Sequence, residues 1–114
     1  PDSLVDAFYD NYFDCLRYPD SLPEDKQPYG RALAAKLGIT SIIQIIRSNV
    51  PDKRDKINAI YRVFPREANT LTLLYRDRPT RFALWCLRHP AGLYEKWVLF
   101  NFALAGYKHI ISGK

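Results

Sequence analysis

The sequence has no methionine, and it is poor in the residues on which most catalytic and metal sites depend. Its 114 residues include two histidines, two cysteines and five glycines. A nucleophile, a general base or a metal ion must be held by several suitable side chains in a fixed pattern. Neither histidine has an acidic residue at helical spacing to orient it, and no phosphate-binding glycine loop occurs. We therefore expect no enzyme, no catalytic residue, no metal and no other cofactor.

Cys86 and His89 are the one pair of potential metal ligands that could share a helical face, because they are three residues apart. Pro90 ends that helix at once, and no third ligand is near in the sequence, so the pair does not predict a site. Cys15 and Cys86 both lie in apolar runs, which is typical of buried free cysteines in a reducing compartment. Since the N-terminal stretch is acidic and amphipathic, it does not resemble a secretory signal. We expect an intracellular protein, cytoplasmic or nuclear.

Charge is distributed unevenly along the chain, whose formal net charge is +5. Residues 1–28 hold seven acidic side chains against two basic ones, and the remainder holds fifteen basic against five acidic. Residues 1–17 predict an acidic amphipathic helix, residues 18–28 a proline-rich loop, and residues 29–114 a basic helical body. We interpret these as parts of one domain, because 114 residues are enough to bury a single core. The acidic and basic regions are expected to attract each other or different partners.

Apolar residues recur at helical spacing through most of the chain, which predicts an all-α fold, a compact bundle of five or six helices. Further helices are expected between Asp52 and Phe64, after Asp77, and from Leu93 to Ile111. Residues 67–75 fit either a strand or a helix, and helix is favoured because no second strand is available for pairing. The predicted core comprises Phe8, Tyr12, Leu33, Leu37, Ile42, Ile46, Ile60, Phe64, Leu84 and Trp97.

Residues 30–49 carry the most informative pattern, which predicts two short helices joined by a turn at Gly38. Apolar side chains at Leu33, Ala34 and Leu37 form the buried side of the first helix, and a glycine commonly ends a helix in a left-handed conformation. Thr40 could then cap the second helix. A helical wheel groups the isoleucines of that helix on one arc and polar residues on the other, namely Thr40, Ser41, Gln44, Arg47 and Ser48.

Ala34, Leu37, Gly38 and Ile39 resemble the first helix and turn of a helix-turn-helix DNA-binding motif. The resemblance implies that the second helix, which begins at Thr40, binds nucleic acid and presents Ser41, Gln44, Arg47 or Ser48 to base edges in the major groove. One feature departs from the motif, since the buried residues Ile43 and Ile46 come one position too early after the glycine. The basic residues that would hold phosphates in this interpretation are Lys36, Lys53, Arg54, Lys56, Arg76, Arg78 and Arg81.

The same residues, followed by Pro51, Asp52 and another amphipathic helix, also resemble the middle of a death-domain-like helical bundle. That resemblance implies a protein–protein interaction module: an adaptor, an inhibitor or a subunit of an assembly. Its contact surfaces would be the acidic stripe of the first helix, Asp6, Asp10 and Asp14, and an arginine-rich patch formed by Arg76, Arg78 and Arg81. A third interpretation remains, in which the glycine and the isoleucines belong to a helical scaffold and the acidic stripe is a solvated face.

The arginine-rich segment, residues 75–82, is open to two interpretations. Three arginines between two aromatic residues could bind phosphate or stack on bases. Alternatively, Asp77 or Thr80 caps a helix that has Pro79 in its first turn. The sequence favours neither strongly enough to discard the other.

Residues 97–107 are apolar on nearly every side, but eleven residues cannot cross a bilayer, which needs about 20. We therefore expect no membrane span. This segment is either a central helix surrounded by the others or a helix whose outer side is covered by a second subunit or a partner. The expected partners are DNA or an oppositely charged protein, with a homodimer possible. No small-molecule substrate is evident.

Overall fold

The structure is a computed structural model that describes the backbone of residues 2–112 and the side chains of residues 3–106. Six α-helices follow one another within the described backbone, which contains no strand. They are α1 (Asp2–Cys15), α2 (Gln27–Arg47), α3 (Lys53–Val63), α4 (Pro65–Ala68), α5 (Arg78–Arg88) and α6 (Leu93–Ser112). Short 3-10 turns lie at Tyr18–Ser21, Glu24–Lys26 and Leu71–Leu73. The predicted all-α bundle of five or six helices is confirmed.

Helix α2 forms the centre of the bundle, because it packs against each of the other five helices. Ala35, Ile39, Ile42 and Ile45 are completely buried along it. Burial therefore extends along α2, as expected for a helix that has neighbours on several sides. The surrounding helices complete a continuous core with Tyr12, Ile57, Ile60, Phe64, Leu71, Cys86 and Trp97.

The predicted turn at Gly38 is wrong, because residues 27–47 form one uninterrupted helix. Gly38 lies inside that helix, and among the described glycines only Gly92 has a positive φ. A Cβ atom at Gly38 would lie 2.8 Å from Cε1 of Tyr12, so the glycine allows the Tyr12 ring of α1 to approach the α2 backbone. Thr40 therefore does not cap a helix, and the pair of helices expected at residues 30–49 is absent.

Other predictions had mixed outcomes. Residues 67–75 are helical only in pieces, since α4 ends at Ala68 and a 3-10 turn follows. Asp52 precedes α3 but its side chain makes no capping hydrogen bond. The proline-rich loop ends earlier than expected, because α2 already begins at Gln27. Leu33, predicted in the core, is 52 % exposed, whereas Tyr12, Ile42, Ile60, Phe64 and Trp97 are buried as predicted.

Asp77 caps α5, as one of the two interpretations of the arginine-rich segment requires. Its carboxylate accepts hydrogen bonds from the backbone N–H of Thr80 at 3.3 Å and from the Thr80 hydroxyl at 2.8 Å. Proline occupies the first turn, where its missing N–H costs no helical hydrogen bond. Lys36 of α2 also donates to Asp77, at 2.6 Å, so one carboxylate both begins α5 and ties it to the central helix.

An aromatic cluster anchors the first half of α6. Trp97 is 1 % exposed, and its indole N–H donates to the Tyr61 hydroxyl at 3.0 Å. Phe82 stacks on Phe100 with ring centroids 4.2 Å apart and meets Trp97 edge to face. Near the start of α6, Arg54 of α3 forms a 2.7 Å ion pair with Glu95. These contacts hold the N-terminal part of α6 against α3 and α5, and so determine the direction of the helix.

Candidate interaction surfaces

The polar arc predicted to contact DNA bases is not a continuous exposed face. Ser41 is completely buried, and its hydroxyl oxygen lies 2.8 Å from the Leu37 carbonyl and 3.2 Å from the Phe8 carbonyl of α1. Thr40 and Gln44 are partly buried. Arg47 is exposed, but its Nε donates to Asn101 of α6 at 3.0 Å. The expected base-contacting role of Ser41 is therefore wrong, because α1 covers that side of α2.

All three lysines expected to bind phosphates make contacts within the chain. Lys36 pairs with Asp77, and its ammonium group lies 5.3 Å from the centre of the Tyr75 ring. Lys53, the first residue of α3, donates from its side chain to the Ile46 carbonyl near the C-terminal end of α2, at 3.2 Å. Lys56 is largely buried and lies over the Tyr9 ring at 4.2 Å, with Asp6 at 3.9 Å. These side chains hold helices together in the described structure.

The arginines of the proposed patch have a different setting. Arg76, Arg78 and Arg81 are all exposed around the start of α5. Arg54 is also exposed, but it is paired with Glu95 and lies 4.8 Å from the centre of the Tyr94 ring. The arginine-rich patch is thus exposed at the protein surface.

The acidic stripe of α1 is exposed at Asp6, Asp10 and Asp14. Asp10 and Asp14 border a shallow groove between α1 and α3, and Arg62 lines the same groove. Asp6 is near Lys56. Part of the negative charge is therefore balanced by α3, which explains how α1 tolerates like charges every four residues.

The middle of α6, residues 99–106, has the most exposed of the large apolar side chains in the described part of the chain. Leu99 is 69 % exposed and Phe102 is 74 % exposed. Ala103 and Gly106 are exposed beside them, which together gives a stripe at helical spacing that we call the α6 stripe: Leu99, Phe102, Ala103 and Gly106. Of the two interpretations of residues 97–107, the central helix surrounded by the others is wrong for residues 99–106, because Leu99 and Phe102 are exposed. No charged residue occurs from Trp97 to Gly106, and all four residues of the α6 stripe are apolar, so the stripe exposes an apolar surface to water.

A separate polar cavity lies where α1, α2, α3 and α4 meet. Its volume is about 620 Å³, and its wall includes Arg17, Arg31, Arg66 and Glu67. None of these residues was singled out from the sequence. They come from three separate segments, namely the turn after α1, α2 and α4. Only their three-dimensional arrangement brings them together, so no local spacing could have indicated the cavity.

No protein-family model, curated protein or solved structure matches this chain. Among the described residues, no group of three or more His, Cys, Asp or Glu side chains is placed to hold a metal ion. Within the same part of the chain, no helix is long and apolar enough to cross a membrane.

Proposed function

We propose that this protein is a small interaction module that binds a second copy of itself through the α6 stripe. The observation that supports this is the exposure of Leu99 and Phe102 on a helix segment that has no charged residue. An exposed apolar surface of this kind is typical of a protein interface. The partner surface must itself be apolar, and the chain provides such a surface in its own α6.

The order of large and small residues in the α6 stripe favours self-association. In an antiparallel pair of α6 helices with the two-fold axis between residues 102 and 103, Phe102 lies opposite Ala103 of the partner copy. The same symmetry places Leu99 opposite Gly106. Each large side chain then meets a small one, so the two helices can approach closely without a cavity or a clash. One surface thereby complements itself, as a two-fold dimer requires.

The expected dimer is weak. One helical stripe from each copy falls below about 1,200 Å² of buried surface, which is the range of transient complexes. We therefore expect dissociation at micromolar concentration or above. Sedimentation velocity over a concentration series should show a reversible monomer–dimer equilibrium that persists at high salt, because apolar contacts are not screened.

Ala103→Leu tests this arrangement more specifically than a substitution that removes apolar surface from the α6 stripe, because removal would weaken any apolar contact. The substitution adds apolar area but fills the space that Phe102 of the partner copy needs, so it should weaken the dimer by about tenfold or more. Ala105→Leu is the matched control, because Ala105 lies roughly a quarter turn away from the α6 stripe. Sedimentation velocity measures both variants. A wild-type chain that stays monomeric at millimolar concentration, or a tighter dimer with Ala103→Leu, would exclude the proposed contact.

Binding of DNA through the exposed arginines Arg76, Arg78 and Arg81 stays a prediction. Such binding would weaken steeply with salt, in contrast to the α6 contact. A chain that binds a DNA duplex with a clear sequence preference, yet does not dimerise, would favour the DNA interpretation over the one proposed.

A further inference from the structure

We propose that the polar cavity between α1, α2, α3 and α4 binds a small phosphate monoester whose organic part donates a hydrogen bond. Its volume of about 620 Å³ is in the range of small-molecule sites, which is about 300–1,000 Å³. The cavity is lined by Phe13, Leu16, Arg17, Asp20, Arg31, Val63, Arg66, Glu67, Asn69 and Thr70. This site is separate from the α6 stripe and does not depend on the proposed dimer.

Glu67 is the first reason to expect a ligand. It lines the cavity and is only 7 % exposed, yet its Oε2 atom has no hydrogen-bond partner among the described residues. A buried carboxylate oxygen without a donor is costly, and most such groups in proteins are satisfied. Burial raises the pKa of Glu67, while Arg31 and Arg66 act in the opposite direction. A rotation of the Glu67 carboxyl group that brings Oε2 to the cavity surface would allow an O–H or N–H group of a ligand to supply the missing donor.

Three guanidinium groups are the second reason. Arg17, Arg31 and Arg66 line the cavity together with two carboxylates, Asp20 and Glu67, so the lining carries a net positive charge. Arg17 and Arg66 have no side-chain hydrogen bond or ion pair shown in the described structure, and both are exposed. Arginine presents its donors in a planar fork that matches phosphate oxygens. A phosphate dianion would complement this set better than a single carboxylate would.

Asp20 is a carboxylate of the chain itself that would compete with the ligand phosphate for Arg31. Its Oδ1 atom lies 3.5 Å from Arg31 Nη2, and its side chain is 74 % exposed. An ion pair this exposed contributes little to stability. A ligand phosphate could therefore replace Asp20 at Arg31 with a small loss. Arg31 also donates to Gln27 at 3.4 Å, which keeps its guanidinium near the cavity when Asp20 is displaced.

The apolar part of the lining indicates that the ligand is larger than phosphate itself. Phe13, Leu16 and Val63 provide a wall that no phosphate oxygen would contact favourably. A ring or a carbon chain attached to the phosphate would cover this wall. Adenosine monophosphate and a hexose monophosphate share the required chemistry and differ in the group that reaches the wall, so they serve as the two probes.

Calorimetric titration of the wild-type chain with the two monoesters, with inorganic phosphate and with adenosine tests the site. We expect at least one monoester to bind more tightly than inorganic phosphate and more tightly than adenosine. The monoester that binds better identifies the organic group. Failure of both monoesters to saturate the chain at millimolar concentration would overturn the proposal, and so would equal affinity for inorganic phosphate.

Substitutions in the wall locate the binding. Arg31→Gln and Arg66→Gln should each weaken the monoester by about tenfold or more, because each removes a hydrogen bond to a charged group. Arg81→Gln is the matched control, since it removes the same charge from the exposed part of α5 outside the cavity. An equal loss with Arg81→Gln would show that binding depends on total charge alone and would overturn the site.

Asp20→Asn tests the site through an expected gain of ligand affinity instead of a loss. It removes the competitor at Arg31 and should tighten monoester binding, by up to about fivefold given the strength of exposed ion pairs. A variant that binds no more tightly than wild type would contradict the role of Asp20 and the placement of phosphate at Arg31. Ala103→Leu should leave the monoester affinity unchanged, which separates this site from the proposed dimer.

Discussion

Gly38 and Gly106 are both inside helices, but their surroundings differ. A Cβ atom at Gly38 would lie 2.8 Å from Tyr12, whereas a Cβ atom at Gly106 would meet nothing within 4 Å. The Tyr12 ring itself is fully buried. Burial is the main cause of the raised pKa of the Tyr12 hydroxyl, and the negative charge of the nearby Glu67 raises it further. Tyr12 therefore has little room to move away from a larger residue at position 38.

Gly38→Ala should lower the free energy of unfolding by about 1–3 kcal/mol, because overpacking against Tyr12 outweighs the better helix propensity of alanine. Gly106→Ala is the matched control at protein concentrations too low for the proposed dimer, where it should be neutral or stabilising by up to about 1 kcal/mol. Urea denaturation of both variants measures the difference. Equal stabilisation by the two substitutions would mean that Tyr12 does not pack closely on α2.

At the level of secondary-structure elements, the start of α5 shows how one side chain can determine both a helix end and its packing. Asp77 caps α5 and accepts a hydrogen bond from Lys36 of α2. Burial opposes ionisation of Asp77, but the hydrogen bonds from Lys36 and Thr80, with the Lys36 charge, outweigh it and lower the pKa of the carboxyl below 3.8. The charged form is therefore the one that stabilises the fold.

Asp77→Ala should destabilise the protein by about 1–2 kcal/mol at neutral pH, which is the usual cost of a lost cap. Because the folded pKa is lower than the unfolded one, this contribution is fully present above pH 3.8 and is lost as the pH falls through the folded pKa. Urea denaturation of wild type and variant at neutral and acidic pH should give a difference that shrinks in acid. A constant difference would show that the charge of Asp77 is unimportant.

The elements also show how far sequence patterns can predict this fold. The sequence correctly predicted a helix after Asp52 and another after Asp77. The capping signal explains only the second, because Asp77 caps α5 whereas the Asp52 side chain makes no capping hydrogen bond. Gly38 misled the prediction of a turn, since a glycine also occurs where another chain segment must come close, here Tyr12 of α1. The cavity was not predictable, because the positions of Arg31 and Glu67 relative to each other depend on tertiary packing.

Across the whole molecule, the charge asymmetry of the sequence is partly neutralised by folding. Lys56 of α3 lies near Asp6 and Asp52, and Arg62 borders the groove beside Asp10 and Asp14. The acidic stripe and the arginine-rich patch are nevertheless exposed, so both stay candidates for charged contacts. Such contacts would be weakened by salt, whereas the α6 contact would not.

Asp10→Lys combined with Asp14→Lys should leave the α6 dimer intact, since neither residue belongs to the α6 stripe. The double variant should lose affinity for a basic partner, for which polylysine is a suitable probe, because the stripe then repels it. Sedimentation velocity and a salt-dependent polylysine titration measure the two effects. Loss of the dimer in this variant would instead assign self-association to charged contacts between copies.

The central position of α2 limits which substitutions its residues can accept during evolution. Substitutions along α2 must satisfy five packing neighbours at once, so accepted changes there should be few and conservative in volume. The α6 stripe has no such constraint within the described chain. If natural variants nevertheless keep large residues at positions 99 and 102 and small ones at positions 103 and 106, then selection has acted on binding of this stripe to a second molecule.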